Sequence, residues 1–302
     1  MPPHVALTIG NFDGVHLAHV QLVRVARAAV GDDGHVIVLS FDPHPVTVLK
    51  GRQPGRLTTF PERARLLEDA GADRVVALKP SRAFLNQDPE QFLTAVIDPY
   101  RPKVIVEGPD FHFGRGRSGS VRTLRELESN HGYRTIVIDP VELPLTDHHL
   151  VRVSSTTIRW LIERGRVRDA AALLGRPCAL AGEVVRGDGR GRDIGVPTAN
   201  LDHVDRLLPG DGIYAGRATS PEGRWHAAAV SVGTKPTFGN HPKLCEVHLI
   251  GYDGPVDHYG WTLRLQITHW LRDQLRFTDI DALAAQLKRD LSRAESLVPL
   301  HV

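Results

Sequence analysis

The sequence predicts an α/β domain built on a doubly wound parallel sheet, followed by a small β-barrel with a helix packed on it. Three observations carry this. Short β-branched runs alternate with helix-like segments through the first half. Those runs are continuously apolar, as strands buried on both faces are. After Gly175-Arg176-Pro177 the pattern changes to strands separated by Gly, Pro and Asp turns. At 302 residues two domains are expected, and the change of character divides them as 1–175 and 176–302.

The strand-like runs of the first half are His4–Ile9, His35–Ser40, Arg74–Leu78, Lys103–Glu107 and Arg134–Ile138. Helical periodicity follows the first of them over His16–Val30, through Val20, Val23, Arg27 and Val30. Further helices are expected over Pro61–Ala70, Pro89–Ile97, Val121–Asn130, Ser154–Arg164 and Arg168–Leu174. In the second half Ala179–Arg186, Gly212–Thr219, Trp225–Val232, Leu244–Ile250 and Trp261–Trp270 read as strands, and Asp279–Leu297 as a terminal amphipathic helix.

Composition narrows the function classes. Charged residues make up 24% of the chain and the formal net charge is +2, too small to call for a nucleic-acid or membrane partner. Only six of the 37 basic residues are lysines, a bias that suits bidentate phosphate contacts and equally a GC-rich genome. Cys178 and Cys245 have no neighbour at metal-ligand spacing, which argues against a disulfide framework and a zinc site and for a reducing, cytoplasmic setting. The first ten residues lack a signal-peptide pattern, and no run approaches the ~18 apolar residues of a membrane span. The oligomeric state is not readable from these features.

The richest segment of the first half runs from Gly10 through Asn11, Phe12, Asp13, Gly14 and Val15 to His16 and His19. A buried strand entering a Gly/Asn/Asp turn and then a helix aims free backbone N–H groups and the positive helix end at one point, an anion site. Residues three apart share a helical face, so His16 and His19 can reach one phosphate and donate hydrogen bonds where charge develops. A bare pair of histidines would be read as ordinary surface or core residues; the glycine-rich turn before them favours the phosphate site.

Here the chain resembles the H-x-G-H nucleotidyltransferases, and within them the bacterial bifunctional riboflavin kinase/FMN adenylyltransferase (FAD synthetase) family. G-N-F-D-G-V-H-x-x-H is followed in order by Phe41–Pro45 (FDPHP), by Gly108–Gly114 (GPDFHFG), similar to the family's G-x-D/N-F-x-F-G loop, and by Arg152–Arg159 (RVSSTTIR), similar to I-S-S-T-x-I-R. The resemblance implies a Rossmann-like nucleotidyltransferase domain in which the FMN phosphate attacks the α-phosphate of ATP. His16 and His19 would hold the ATP phosphates, with Gly10, Phe12 and Asp13 in the same turn. Ser155, Thr156 and Arg159 would clamp the β/γ end, and Asp110 the adenine or ribose. Ala18 departs from the family's Gly between the histidines, where Gly permits close backbone approach.

In the second half Gly187–Asn200 (GDGRGRDIGVPTAN) resembles the riboflavin kinase segment that ends in P-T-A-N. Glycine backbone can wrap phosphates, and Thr198 and Asn200 offer hard oxygens suited to Mg²⁺. The resemblance implies a six-stranded barrel in which Gly187, Gly191, Arg192, Pro197 and Tyr214 help bind ATP and flavin. Glu246 falls where the family keeps its catalytic base, and would take the proton of riboflavin's 5′-hydroxyl. A solvent-facing strand glutamate is the ordinary alternative. Lys235 before P-T-F and His258 in D-H-Y-G depart from the family pattern.

The implied reactions are riboflavin + ATP → FMN + ADP, then FMN + ATP → FAD + pyrophosphate, on small-molecule substrates alone. One alternative is a monofunctional riboflavin kinase, or a paralogue of altered flavin or nucleotide preference, whose first domain is weakened by Ala18. Another is a non-catalytic flavin- or RNA-binding regulator, whose RNA affinity would fall steeply with salt.

Overall fold

A computed structural model describes residues 4–187, 189–233, 243–255 and 257–298, apart from the side chains of Arg190 and Asp193. Packing separates two compact units: residues 1–143 with 150–155, and residues 144–149 with 156–302.

The first unit is built on β1 (Val5–Gly10), α1 (Leu17–Val30), β2 (His35–Phe41), α2 (Pro45–Lys50), α3 (Phe60–Asp69), β3 (Arg74–Leu78), α4 (Arg82–Leu85) and α5 (Pro89–Phe92). There follow β4 (Val104–Glu107), the two-residue strands β5 (His112–Phe113) and β6 (Gly119–Ser120), α6 (Val121–His131), β7 (Arg134–Val137), β8 (Glu142–Pro144) and β9 (Leu150–Arg152). The five-stranded sheet has the order β3-β2-β1-β4-β7, and its paired strands run parallel. Ala6, Val23, Val38 and Val106 pack on one side of it. Leu7, Leu39, Ile105 and Leu124 pack on the other. Both faces are therefore covered, as the continuous apolar runs predict. The segment expected as one helix over Pro89–Ile97 is α-helical only to Phe92 and continues as a π-turn over Leu93–Ile97.

Strand order fixes where a ligand can enter. From β1 the chain steps outward to β2 and β3, then returns to the other side of β1 with β4 and β7. The reversal leaves a crevice at the carboxyl ends of β1 and β4, the usual ligand position in open α/β sheets.

The second unit begins with α7, whose full range is Ser155–Glu163, and α8 (Val167–Leu174). Val167 lies in the barrel's apolar core, and the Gly210 amide donates to the Ile162 carbonyl, so these helices pack with the barrel. Next come β10 (Cys178–Val185), α9 (Arg190–Asp193), β11 (Ala199–Asp202), β12 (Gly212–Thr219), β13 (Trp225–Gly233), β14 (Leu244–Leu249), β15 (Thr262–Arg272) and α10 (Ile280–Leu297). The strands close into a six-stranded antiparallel barrel in the order β10-β11-β14-β13-β12-β15. Closure removes the unpaired edges that a small sheet would otherwise expose. Asp279 caps α10 by accepting from the Ala282 amide at 2.8 Å. The helix packs Ala294, with Val298 just beyond its end, against Ala215, Ala227 and Leu271 on the barrel.

Candidate active sites

In the first unit the turn after β1 is conformationally unusual. Phe12 (φ 49°), Gly14 (φ 88°) and Val15 (φ 39°) all have positive φ. For a β-branched residue such as Val15 that is strained by ~1–3 kcal/mol and needs outside support. Asp13 supplies it. Its carboxylate, only 5% exposed, accepts from the Leu57 amide at 3.1 Å and from the Thr58 amide and hydroxyl at 3.0 and 3.2 Å. The Thr58 hydroxyl in turn accepts from the Gly14 amide at 3.0 Å. Ser155 donates its hydroxyl to the Asp13 carbonyl at 2.7 Å. Arg63, buried behind, donates to the Ser40 hydroxyl and the Phe41 carbonyl and lies 3.9 Å from Asp13 Oδ1. Gly10 leaves room for Phe12: a Cβ there would sit 3.3 Å from the Phe12 ring.

This scaffold delivers the two histidines. The helix starts at Leu17, one residue later than the periodicity suggests, so His16 is the N-cap with extended backbone (φ −79°, ψ 173°). The rings still meet. His16 and His19 stack with centroids 3.6 Å apart and planes 17° from parallel, and the His19 ring centroid lies 5.0 Å from that of Phe12. No acidic side chain occupies the first turn of α1, and the positive end of a helix favours an anion. Ala18, the second helical residue, is half-buried.

Other residues expected here have distinct places. Phe12, 1% exposed, contributes backbone and packing. Asp13 holds the turn. Asp110 is two-thirds exposed at the end of β4's following loop and pairs with Arg152. Ser155 belongs to the first unit and anchors the turn, while Thr156 and Arg159 belong to the second. On α7 these two lie apart from the buried Ile158, Leu161 and Ile162. Thr58, Arg63 and Glu107 are the residues that sequence reasoning missed. Each acts across a long sequence separation, and no local motif marks them.

In the second unit the Gly-rich segment packs onto P-T-A-N. A Cβ on Gly187 would come within 2.1 Å of Asn200 Nδ2, and one on Gly191 within 2.3 Å of the Val196 carbonyl and 3.5 Å of Thr198 Oγ1. Only glycine backbone fits so close. Gly189 (φ 75°) and Gly195 (φ 76°) take left-handed turns at either side of α9. Pairing of β11 with β14 sets Asn200 directly opposite Glu246. Leu201 and Cys245, the next pair, point into the core, so Asn200 and Glu246 share the outer face of the barrel wall. His248, two residues on, donates Nδ1–H to the Pro197 carbonyl at 2.7 Å. That bond ties the P-T-A-N backbone to β14 and selects the histidine tautomer.

Arg192 makes a bidentate ion pair with Asp257, at 2.6 and 3.3 Å. The guanidinium holds the Asp257 carboxyl below the ordinary carboxylate range. A pocket lined by Pro197, Thr198, Val247, Tyr252, Tyr259 and Trp261 opens beside this pair. Its aromatic walls and neighbouring oxygen donors are what a flat, polar-edged ring system requires. Tyr214 is elsewhere: fully buried, with its hydroxyl donating to the Gly210 carbonyl at 2.6 Å, it is a core residue. Lys235 and the adjoining Thr234–Phe238 segment lie outside the described residues, as does Asp188.

The donor set in this unit suits a hard cation. Thr198 and Asn200 bring neutral oxygens, and Glu246 a carboxylate across the ladder from Asn200. Among the described residues no cluster of three or more His, Cys, Asp or Glu side chains could hold a metal. A cation here would be shared with substrate phosphates, the habit of Mg²⁺. Among the described residues no helix is long and apolar enough to cross a membrane.

Comparison with known proteins meets both geometries. Residues 1–157 match the FAD synthetase family and residues 174–298 the riboflavin kinase family. The bifunctional riboflavin kinase/FMN adenylyltransferase of Escherichia coli strain K12 is 32% identical over 94% of this chain and 90% of its own. That of Haemophilus influenzae is 31% identical over 96% and 93%. Among solved structures, one described as a macrolide-efflux protein from Streptococcus pneumoniae is 31% identical, covers 98% of this chain and 95% of its own, and superposes with a TM-score of 0.87.

Proposed function

The chain belongs to the bifunctional riboflavin kinase/FMN adenylyltransferase family, and from that premise we propose how its two sites divide the work. Residues 176–302 carry the kinase and residues 1–175 the adenylyltransferase. In the kinase, Glu246 takes the proton of the riboflavin 5′-hydroxyl as that oxygen attacks the γ-phosphorus of ATP. The bond to the bridging oxygen breaks, and ADP leaves. Gly187, Gly191 and Arg192 lie against the phosphates and Pro197 against the ring systems. Thr198 and Asn200 would hold Mg²⁺, which would supply positive charge to offset that of the phosphoryl group.

In the adenylyltransferase a phosphate oxygen of FMN attacks the α-phosphorus of ATP, and pyrophosphate leaves with the α–β bridging oxygen. No covalent enzyme intermediate is needed, so catalysis rests on position and charge. The stacked His16 and His19 and the amides at the start of α1 receive the phosphates. Gly10, Phe12, Asp13 and Ser155 keep the turn in shape for them. Asp110 binds the adenine or ribose. Substrates are small molecules, nucleic acid and membrane play no part, and the setting is the reducing cytoplasm.

The observations that carry the reading are the pairing of Asn200 with Glu246 under the glycine segment in one unit and, in the other, the stacked histidines at the start of α1. Single variants test the division. Glu246→Gln is expected to lose riboflavin phosphorylation by at least a hundredfold while converting supplied FMN to FAD at the parental rate. His19→Ala is expected to do the reverse. Loss of both activities together in either folded variant would contradict the assignment.

A further inference from the structure

Strand β1 pairs with β2 along its whole length, from Val5–His35 to Gly10–Ser40. With β4 it pairs only at Ala6–Val104 and Leu7–Ile105. Beyond that point β4 stays with β7, through Glu107–Val137, and the Ile138 amide donates to the Glu107 carbonyl at 3.0 Å. The sheet therefore splits at the switch point, on the floor of the crevice. What spans the split is a side chain. Glu107, 2% exposed, reaches across with Oε1 and accepts the Ile9 amide at 2.7 Å. A strand carbonyl would ordinarily take that N–H; here a longer arm does so across a wider gap. Ile9 immediately precedes Gly10, the last residue of β1, so the bond is anchored three residues before Phe12, the first positive-φ residue of the turn.

We propose that Glu107 is a positioning residue for adenylyl transfer: it holds the end of β1 at the width that sets Gly10, the turn and the two histidines for the α-phosphate. This rests on the crevice being the adenylyl site. The expected size of the effect follows from geometry, since misplacing reacting groups by about 1 Å costs on the order of 10²-fold in rate. A buried carboxyl kept only for packing would act on stability alone. One held for position acts on turnover in protein that is fully folded.

The full-length enzyme supplies its own control, because riboflavin phosphorylation is carried out in the other half. Glu107→Leu removes the acceptor at similar bulk. Glu107→Gln keeps an acceptor oxygen at the same reach. Glu107→Asp keeps the carboxyl but withdraws it by one methylene, and replaces the Leu variant if that fails to fold. Rates are compared on folded protein, with kcat and KM for FMN and ATP measured separately and riboflavin kinase activity measured alongside. The expected result is a kcat for FAD formation at least tenfold lower in Leu or Asp, with KM values within threefold and kinase activity within twofold, and recovery to within threefold of the parent in Gln. A folded Leu or Asp variant with parental kcat, or a Gln variant as slow as Leu, would overturn the proposal. If His16→Ala and His19→Ala also left FAD formation intact, the crevice itself would be excluded. If they abolished it while Glu107→Leu did not, only the role of Glu107 would fall.

Discussion

Asp13 shows how one buried side chain can hold a strained turn. Its carboxylate accepts from both backbone and hydroxyl of the 57–58 segment and so holds a turn with Phe12 and Val15 at positive φ. Asp13→Ala leaves those buried donors unmatched and Arg63 with one fewer carboxylate in reach. The expected cost is about 3 kcal/mol of stability in the first half, together with a large loss of FAD formation at unchanged kinase activity. Thermal unfolding and the two assays check it, and an unaltered melting curve would contradict it. Gly187 makes the matching case in the kinase half, by absence of a side chain. A methyl group would meet Asn200 at 2.1 Å, so Gly187→Ala is expected to displace the amide and lower riboflavin phosphorylation at least tenfold without affecting FMN adenylylation. Burial pushes both cysteine thiols up to about 12, where thiolate is negligible at neutral pH.

At the scale of elements, strands and helices with strong local signals were legible and those made by partners were not. The five strands of the parallel sheet announce themselves as apolar runs, and no observed end differs from the expected one by more than a single residue. Strand β11 was missed: four residues opening on Ala199 and Asn200 have no periodicity of their own and become a strand only between β10 and β14. The same distinction governs the sites. The histidines and P-T-A-N stand in contiguous motifs, whereas Thr58, Arg63 and Glu107 are brought in by pairings between distant segments. Glu107 carries a further consequence for its element. Burial raises its carboxyl well above the ordinary glutamate range, so the folded state binds a proton that the unfolded chain releases. Its contribution to stability is full below the unfolded-state value and is lost as pH rises through the raised folded-state value. Melting of the first half is expected to fall as pH rises above the ordinary glutamate range, and to fall less in Glu107→Gln, which has nothing to ionise. Equal slopes in parent and variant would contradict the assignment of that pH dependence to Glu107.

For the whole molecule, the two families matched in tandem account for two unlike architectures in one chain. The product of a riboflavin kinase is the acceptor for an FMN adenylyltransferase, so the two families matched in tandem catalyse consecutive reactions. Ala18 is the residue on which the monofunctional alternative turns. It sits in ordinary helical geometry in the first turn of α1, beside stacked histidines, and FAD formation requires its methyl to be compatible with the ATP phosphates. The most direct test is a time course with pure unaltered protein, riboflavin and MgATP, and no other enzyme. FMN is expected to rise first and FAD then to accumulate with one pyrophosphate per FAD; a course that ends at FMN, with ATP still in excess, would contradict the bifunctional reading.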